Sequence, residues 1–110
     1  MKKMLISSAN HLYFVSQENI IFCKSDNCYT SFFLANCKEL VICRSLKKVI
    51  AELSPELFIK VSQSYVINKT FITIVDKKKK MITLADNHIA PFTITLRELL
   101  TSVFIEHSTP

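Results

Sequence analysis

The chain has 110 residues, 49% of them apolar and 21% charged, with 14 Lys and Arg against 9 Asp and Glu and no glycine at all. That is enough for one hydrophobic core and too little for two, and the balance is that of a globular chain, not a disordered one. Without glycine no Gly-rich loop can cradle a phosphate, which excludes P-loop and dinucleotide-fingerprint enzymes, while a net charge of +5 and a pI near 9.1 favour a polyanionic partner.

Lys2-Lys3 ahead of Met4-Leu5-Ile6 mimics the opening of a secretion signal, but Ser7-Ser8-Ala9-Asn10-His11 ends the apolar run too early. No apolar stretch approaches the roughly 18 residues that span a bilayer. A soluble, cytoplasmic protein is therefore expected, with no membrane contact. Short β-type runs follow at residues 4–8, 12–15, 19–23, 28–34 and 39–43, rich in Ile, Val, Phe, Tyr and Thr and separated by polar turns. Asp26-Asn27 marks one turn, because both side chains can bond their own backbone and tolerate left-handed conformations. The alternation in Tyr29-Thr30-Ser31-Phe32-Phe33-Leu34 is imperfect, which leaves open which side chains face inward.

Residues 45–53 break the pattern: Leu46, Val49, Ile50 and Leu53 recur at the spacing of one helical face, and Ser45 can cap the free N–H groups. Ser54-Pro55 stops that helix and can nucleate one further turn through Glu56-Leu57. Strands are then predicted at 58–61 and 65–67, joined by the polar elbow Ser62-Gln63-Ser64 and closed by Asn68. Residues 71–75 and 81–84 read as a hairpin around Asp76-Lys77-Lys78-Lys79-Lys80. Ala85-Asp86-Asn87 is a turn, 88–90 a short strand ending at Pro91, and 95–105 a helix with Leu96, Leu99, Leu100 and Val103 on one face. Thr95 and Glu98 stand at capping-box spacing, and the tail 106–110 is expected to fray. There are no repeats and no linker. The expectation is a single, mostly β domain over 1–110 (core about 3–105), an elongated antiparallel sheet with two or three short helices.

Cys23, Cys28, Cys37 and Cys43 contain no Cys-x-x-Cys pair, and His11, His88 and His107 lie far apart, so neither a metal site nor a cofactor is expected. Cys23 and Cys43 sit in apolar runs and read as core thiols; a redox pair such as Cys23 and Cys28 is the alternative. His88 follows a turn and reads as a surface residue. Glu18, Asp26, Glu39, Glu52 and Glu56 are scattered singly and no Ser-His-Asp arrangement is suggested, so the chain does not read as an enzyme.

The elbow is the most informative stretch. Gln63 presents a donor and an acceptor together, matching adenine's major-groove edge, and Lys60 could hold a phosphate nearby. A polar turn whose serines satisfy backbone groups is the alternative, and Asn68 reads more simply as a turn lock than as a ligand contact. Lys24 and Asn27 of Lys24-Ser25-Asp26-Asn27-Cys28 could lie against a groove, although Asp26 opposes close phosphate approach. The four lysines at 77–80 read first as a solvated hairpin guarding an edge, with a part in long-range attraction.

Phe58-Ile59-Lys60-Val61-Ser62-Gln63-Ser64-Tyr65-Val66-Ile67-Asn68 resembles the central signature of the LytTR-type DNA-binding domain, found in many bacterial response regulators of two-component systems. Residues 19–29 look like that family's opening strand and loop, 44–53 its small central helix, and 71–74 and 82–91 its later strand segments, in the family's order. The resemblance covers roughly residues 18–101. It implies a transcription-regulating domain whose loops enter successive major grooves of a bent duplex, with two copies on direct repeats in a promoter. Carried over by position, Gln63 and either Cys28 or Asn27 become base-contacting candidates, with Lys60, Ser62 and Ser64 as phosphate or supporting contacts. The family's loop after Pro91 often carries Arg or Lys. Here it reads Phe92-Thr93-Ile94-Thr95 before Arg97, so Thr93 or Thr95 could substitute only weakly. The usual receiver module is not among these 110 residues, so the sequence is either an excised domain or a free-standing regulator controlled by a separate protein partner. The rival readings are a protein–protein interaction module with weak or non-specific DNA binding, and a small β-rich ligand sensor.

Overall fold

A computed structural model describes residues 2–104. Ten strands run in chain order as β1 Lys3–Ser8, β2 His11–Ser16, β3 Ile20–Asp26, β4 Tyr29–Leu34, β5 Glu39–Ile42, β6 Phe58–Lys60, β7 Tyr65–Asn68, β8 Ile72–Asp76, β9 Met81–Leu84 and β10 Ile89–Pro91. The two helices are α1 Leu46–Ile50 and α2 Leu96–Phe104. Every strand pair is antiparallel: a hairpin β1-β2, a central sheet ordered β5-β4-β3-β7-β6, and a small sheet ordered β10-β9-β8. The described residues measure 42 × 32 × 24 Å, a moderately elongated body.

The middle of the central sheet, at β3 and β7, is buried on both faces, which explains why these strands show no clean polar alternation. On one face Ile20, Cys23, Phe32, Leu34, Leu40, Ile42 and Val66 pack against the β1-β2 hairpin and α1. On the other, Ile21, Phe22 and Ile67 meet Ile82, Leu84 and Ala90 of the small sheet and Leu99 of α2. A register shift between Ile20 and Phe22 lets four consecutive residues, Ile20 to Cys23, be buried by serving both faces. In β4, Thr30, Phe32 and Leu34 are buried while Phe33 packs the second core and stacks on Phe22 at 4.3 Å. Each fully buried Ile or Phe contributes about 1.5–3 kcal/mol, so the two cores dominate stability.

The expected caps are present. Ser45 Oγ accepts from Lys48 N–H at 3.3 Å, and Thr95 and Glu98 exchange bonds at 3.1 and 3.0 Å. α1 is shorter than its apolar spacing predicts, ending at Ile50 with looser turns carrying the chain to Leu53. Asn68 is fully buried and locks a turn: its Nδ2 donates to Ile20 O at 2.9 Å, and its Oδ1 accepts from Thr70 N–H and Thr70 Oγ1. With no glycine, the left-handed positions fall to Ala9, Asn27, Cys37, Lys80, Asp86 and Asn87.

One expectation is corrected. Cys43 is exposed, not a core thiol, because it lies one residue past the end of β5 on the face opposite buried Ile42. The expected fraying at 106–110 falls outside the described residues.

Candidate nucleic-acid interface

Strand order decides which loops meet. β3 ends at Asp26, paired with Tyr29 of β4, so Asn27 and Cys28 form a two-residue tip, with Asn27 left-handed at φ 57°. On the other flank of β3, Lys24 is opposite Tyr65, the first residue of β7, and Lys60, the last of β6, is opposite Val66. The tip and the elbow therefore share one end of the central sheet. A backbone bond ties them directly, Ser25 N–H donating to Ser64 O at 2.8 Å.

The elbow holds its own shape. Val61 N–H donates to Tyr65 O at 3.0 Å, and Ser62 Oγ accepts from Ser64 N–H at 3.3 Å. Val61 is fully buried and anchors the bend in the second core, while Gln63 at its apex is exposed. The segment after β10 joins the same end, since Thr93 and Ile94 N–H both donate to Val61 O, at 2.8 and 3.3 Å.

The structure thus gathers all eight candidates selected from sequence. Lys24, Asn27, Cys28, Lys60, Gln63 and Thr93 are exposed; Ser62 and Ser64 are half-buried and shape the elbow. Lys24 Nζ lies 5.8 Å from the Tyr65 ring centroid, a contact that steers its charge toward the elbow. Exposed Asp26 places one carboxylate at the tip.

Two further cations stand at or beside this end, Arg44, which is not among the sequence candidates, and Lys80, which the sequence reads only as part of the lysine run. Arg44 follows β5 at this same end, its carbonyl accepting from buried Thr30 Oγ1 at 2.7 Å and its guanidinium paired with Glu52. Nothing in the sequence marks Arg44, because Thr30 stands beside Ser31 in β4 and only the fold shows which of the two is buried. Lys80 stands beside the loop after Pro91, its carbonyl accepting from Phe92 N–H at 3.0 Å and its Nζ 5.3 Å from the Phe92 ring centroid. Nothing in the sequence announces that pairing, which depends on β10 lying against β9.

Among the described residues, no group of three or more His, Cys, Asp or Glu could hold a metal ion. The four cysteines are free; Cys23 is buried, and burial pushes its thiol pKa well up, so it cannot readily form the thiolate that exchange with exposed Cys28 would need. His88 is half-buried, its ring set edge-on to Phe22 at 5.2 Å and tilted against Phe33 at 5.5 Å, where it fills the seam between the two larger sheets.

A family model for the LytTr DNA-binding domain matches residues 10–102. Among solved structures, the chain is similar to the LytTr DNA-binding domain of a putative methyl-accepting/DNA response regulator from Bacillus cereus. The TM-score is 0.76 at 11% sequence identity, over 94% of this chain and 97% of that one. At that identity the likeness speaks for the fold. No curated protein matches the sequence. Among the described residues no helix is long and apolar enough to cross a membrane. Matched over most of its length by the model, with the antiparallel fold of a solved member, the chain belongs to the LytTr DNA-binding domain family.

Proposed function

We propose that this chain, a single domain over 1–110, regulates transcription by binding promoter DNA sequence-specifically, reading successive major grooves through its loops. The observation that carries this reading is the bonded convergence of the 26–29 tip, the 61–65 elbow and the loop after Pro91 on one end of the sheet. Gln63 at the elbow and Asn27 or Cys28 at the tip discriminate bases. Lys24 and Lys60 hold phosphates, Ser62 and Ser64 set the geometry, and Thr93 offers a weaker contact from the third loop. Two copies occupy direct repeats in a promoter. The protein works as a non-catalytic domain in the cytoplasm.

The test is selection from a random duplex pool with the purified chain, followed by sequencing of the bound fraction. A short enriched motif, above all a direct repeat, supports the reading. An interaction module is the second reading, favoured by the exposed Leu12 and Phe14 on β2, 62% and 70% accessible. It predicts that no motif is enriched and that any DNA binding is weak and non-specific, with a persistent protein complex in pull-downs.

A further inference from the structure

The hairpin between β8 and β9 is the densest positive charge on the protein, with Lys77, Lys78, Lys79 and Lys80 all exposed. Its one acid, Asp76, turns inward: Oδ1 accepts from Lys78 N–H at 3.0 Å and Lys79 N–H at 2.9 Å. The carboxylate therefore shapes the turn, and among the described residues no acid forms an ion pair with any of the four ammonium groups. The hairpin is also fixed in place. Lys80, left-handed at φ 58°, accepts from Phe92 N–H through its carbonyl while its side chain lies over the Phe92 ring, and Phe92 is only 2% exposed. One residue on, Thr93 N–H is bonded to Val61 of the elbow. An unbroken path of backbone bonds thus runs from the lysine hairpin through the loop after Pro91 to the Gln63 elbow. That loop, Phe92-Thr93-Ile94-Thr95, carries no positive charge of its own.

We propose that this hairpin is a further DNA-binding element, a phosphate-gripping arm beside the loop after Pro91. Lys80 supplies the cation that the loop lacks, and Lys77, Lys78 and Lys79 neutralise backbone phosphates next to it. The element reads no bases; it adds affinity and sets the register in which the elbow meets its groove. The inference rests on the DNA-binding reading above and extends it to a segment that the sequence alone reads first as a solvated hairpin with a part in long-range attraction.

The experiment measures binding to the selected duplex across a salt series for the wild-type chain, Lys80→Gln, Lys80→Arg and the triple Lys77→Gln/Lys78→Gln/Lys79→Gln variant. Phosphate ethylation interference is run in parallel. Each phosphate contact contributes about 0.9 to the slope of log K against log salt. Lys80→Gln should lower the slope by about that amount, Lys80→Arg should restore it, and the triple variant should lower it further, all with the same selected motif. Ethylation at phosphates that block the wild type should no longer matter for the Gln variants. Unchanged slopes and interference patterns, with the wild type binding its motif, would overturn the arm. So would a loss confined to the association rate with interference intact, because the lysines would then attract DNA without touching it. Failure of the wild type to bind or to select a motif is a separate result that removes the underlying reading.

Discussion

Replacing Asn68 with alanine tests whether a single buried amide joins the two halves of the central sheet to the turn that leads into β8. The amide is fully buried and makes three bonds, to Ile20 O at 2.9 Å, from Thr70 N–H at 3.0 Å and from Thr70 Oγ1 at 2.7 Å. Depriving a buried carbonyl of its donor costs about 1–3 kcal/mol, and each bond to half-exposed Thr70 is worth about 0.5–1.5 kcal/mol net. The expected loss is about 3 kcal/mol, which lowers Tm by roughly 12–15 °C at the lower end of the scale for a domain of this size. Circular-dichroism melts and urea titrations measure it, and an unchanged m-value shows that the native fold persists. Asn68 closes β7 at the end away from the elbow, so the folded variant should keep its DNA affinity at low temperature. A loss below about 1 kcal/mol, within the range of an ordinary surface substitution or a single exposed bond, would refute the idea that this amide is a structural lock.

At the elbow, Gln63→Ala should cost about 1–3 kcal/mol on the selected duplex and much less on random DNA. Equal losses on both would remove Gln63 from base readout. Lys60→Ala should weaken binding to all sequences and reduce the salt slope by about one, and an unchanged slope would strike it from the phosphate contacts. Glu98 is held below the ordinary carboxylate value of 4.5 by its hydrogen bonds from Thr95, the backbone N–H foremost. Because the folded pKa is the lower one, its stabilisation of α2 is complete above pH 4.5 and lost as pH falls through the folded value. Glu98→Gln should therefore flatten the acid limb of a Tm-against-pH curve, whereas an identical curve would show that the box is energetically silent. A thiol reagent should label Cys28, Cys37 and Cys43 in the native protein and reach Cys23 only in denaturant; rapid labelling of a fourth thiol under native conditions would contradict its burial.

What was legible in the sequence was local. Ser45, the Thr95 and Glu98 pair, the Asp26-Asn27 turn and the turn lock at Asn68 act over a few residues, so spacing and side-chain chemistry suffice to find them. The LytTR signature supplied the order of segments and the fold. Long-range partners were not legible. Gln17 is an example: it is 1% exposed, donates to Glu52 O at 3.0 Å and accepts from Ser54 N–H at 2.8 Å, more than thirty residues away. Cys43 was misjudged because an apolar run does not reveal where its strand ends. The candidate residues come from side-chain chemistry and the family resemblance; their meeting at one end depends on β3 lying between β4 and β7, which the spacing of apolar residues does not encode.

The bonds that cross-link the loops, Ser25 to Ser64, Thr93 to Val61 and Phe92 to Lys80, have a thermodynamic consequence for association. Loops already fixed to one another have little conformational entropy left to lose, so the ordering cost falls on folding and not on complex formation. Such a head cannot mould itself to a mismatched groove. The compliance has to come from the duplex, and sites with easily deformed pyrimidine–purine steps between the contacted positions will be preferred over stiff ones that offer the same base edges. Under the proposed function, part of the selectivity then resides in DNA mechanics at positions that no side chain touches.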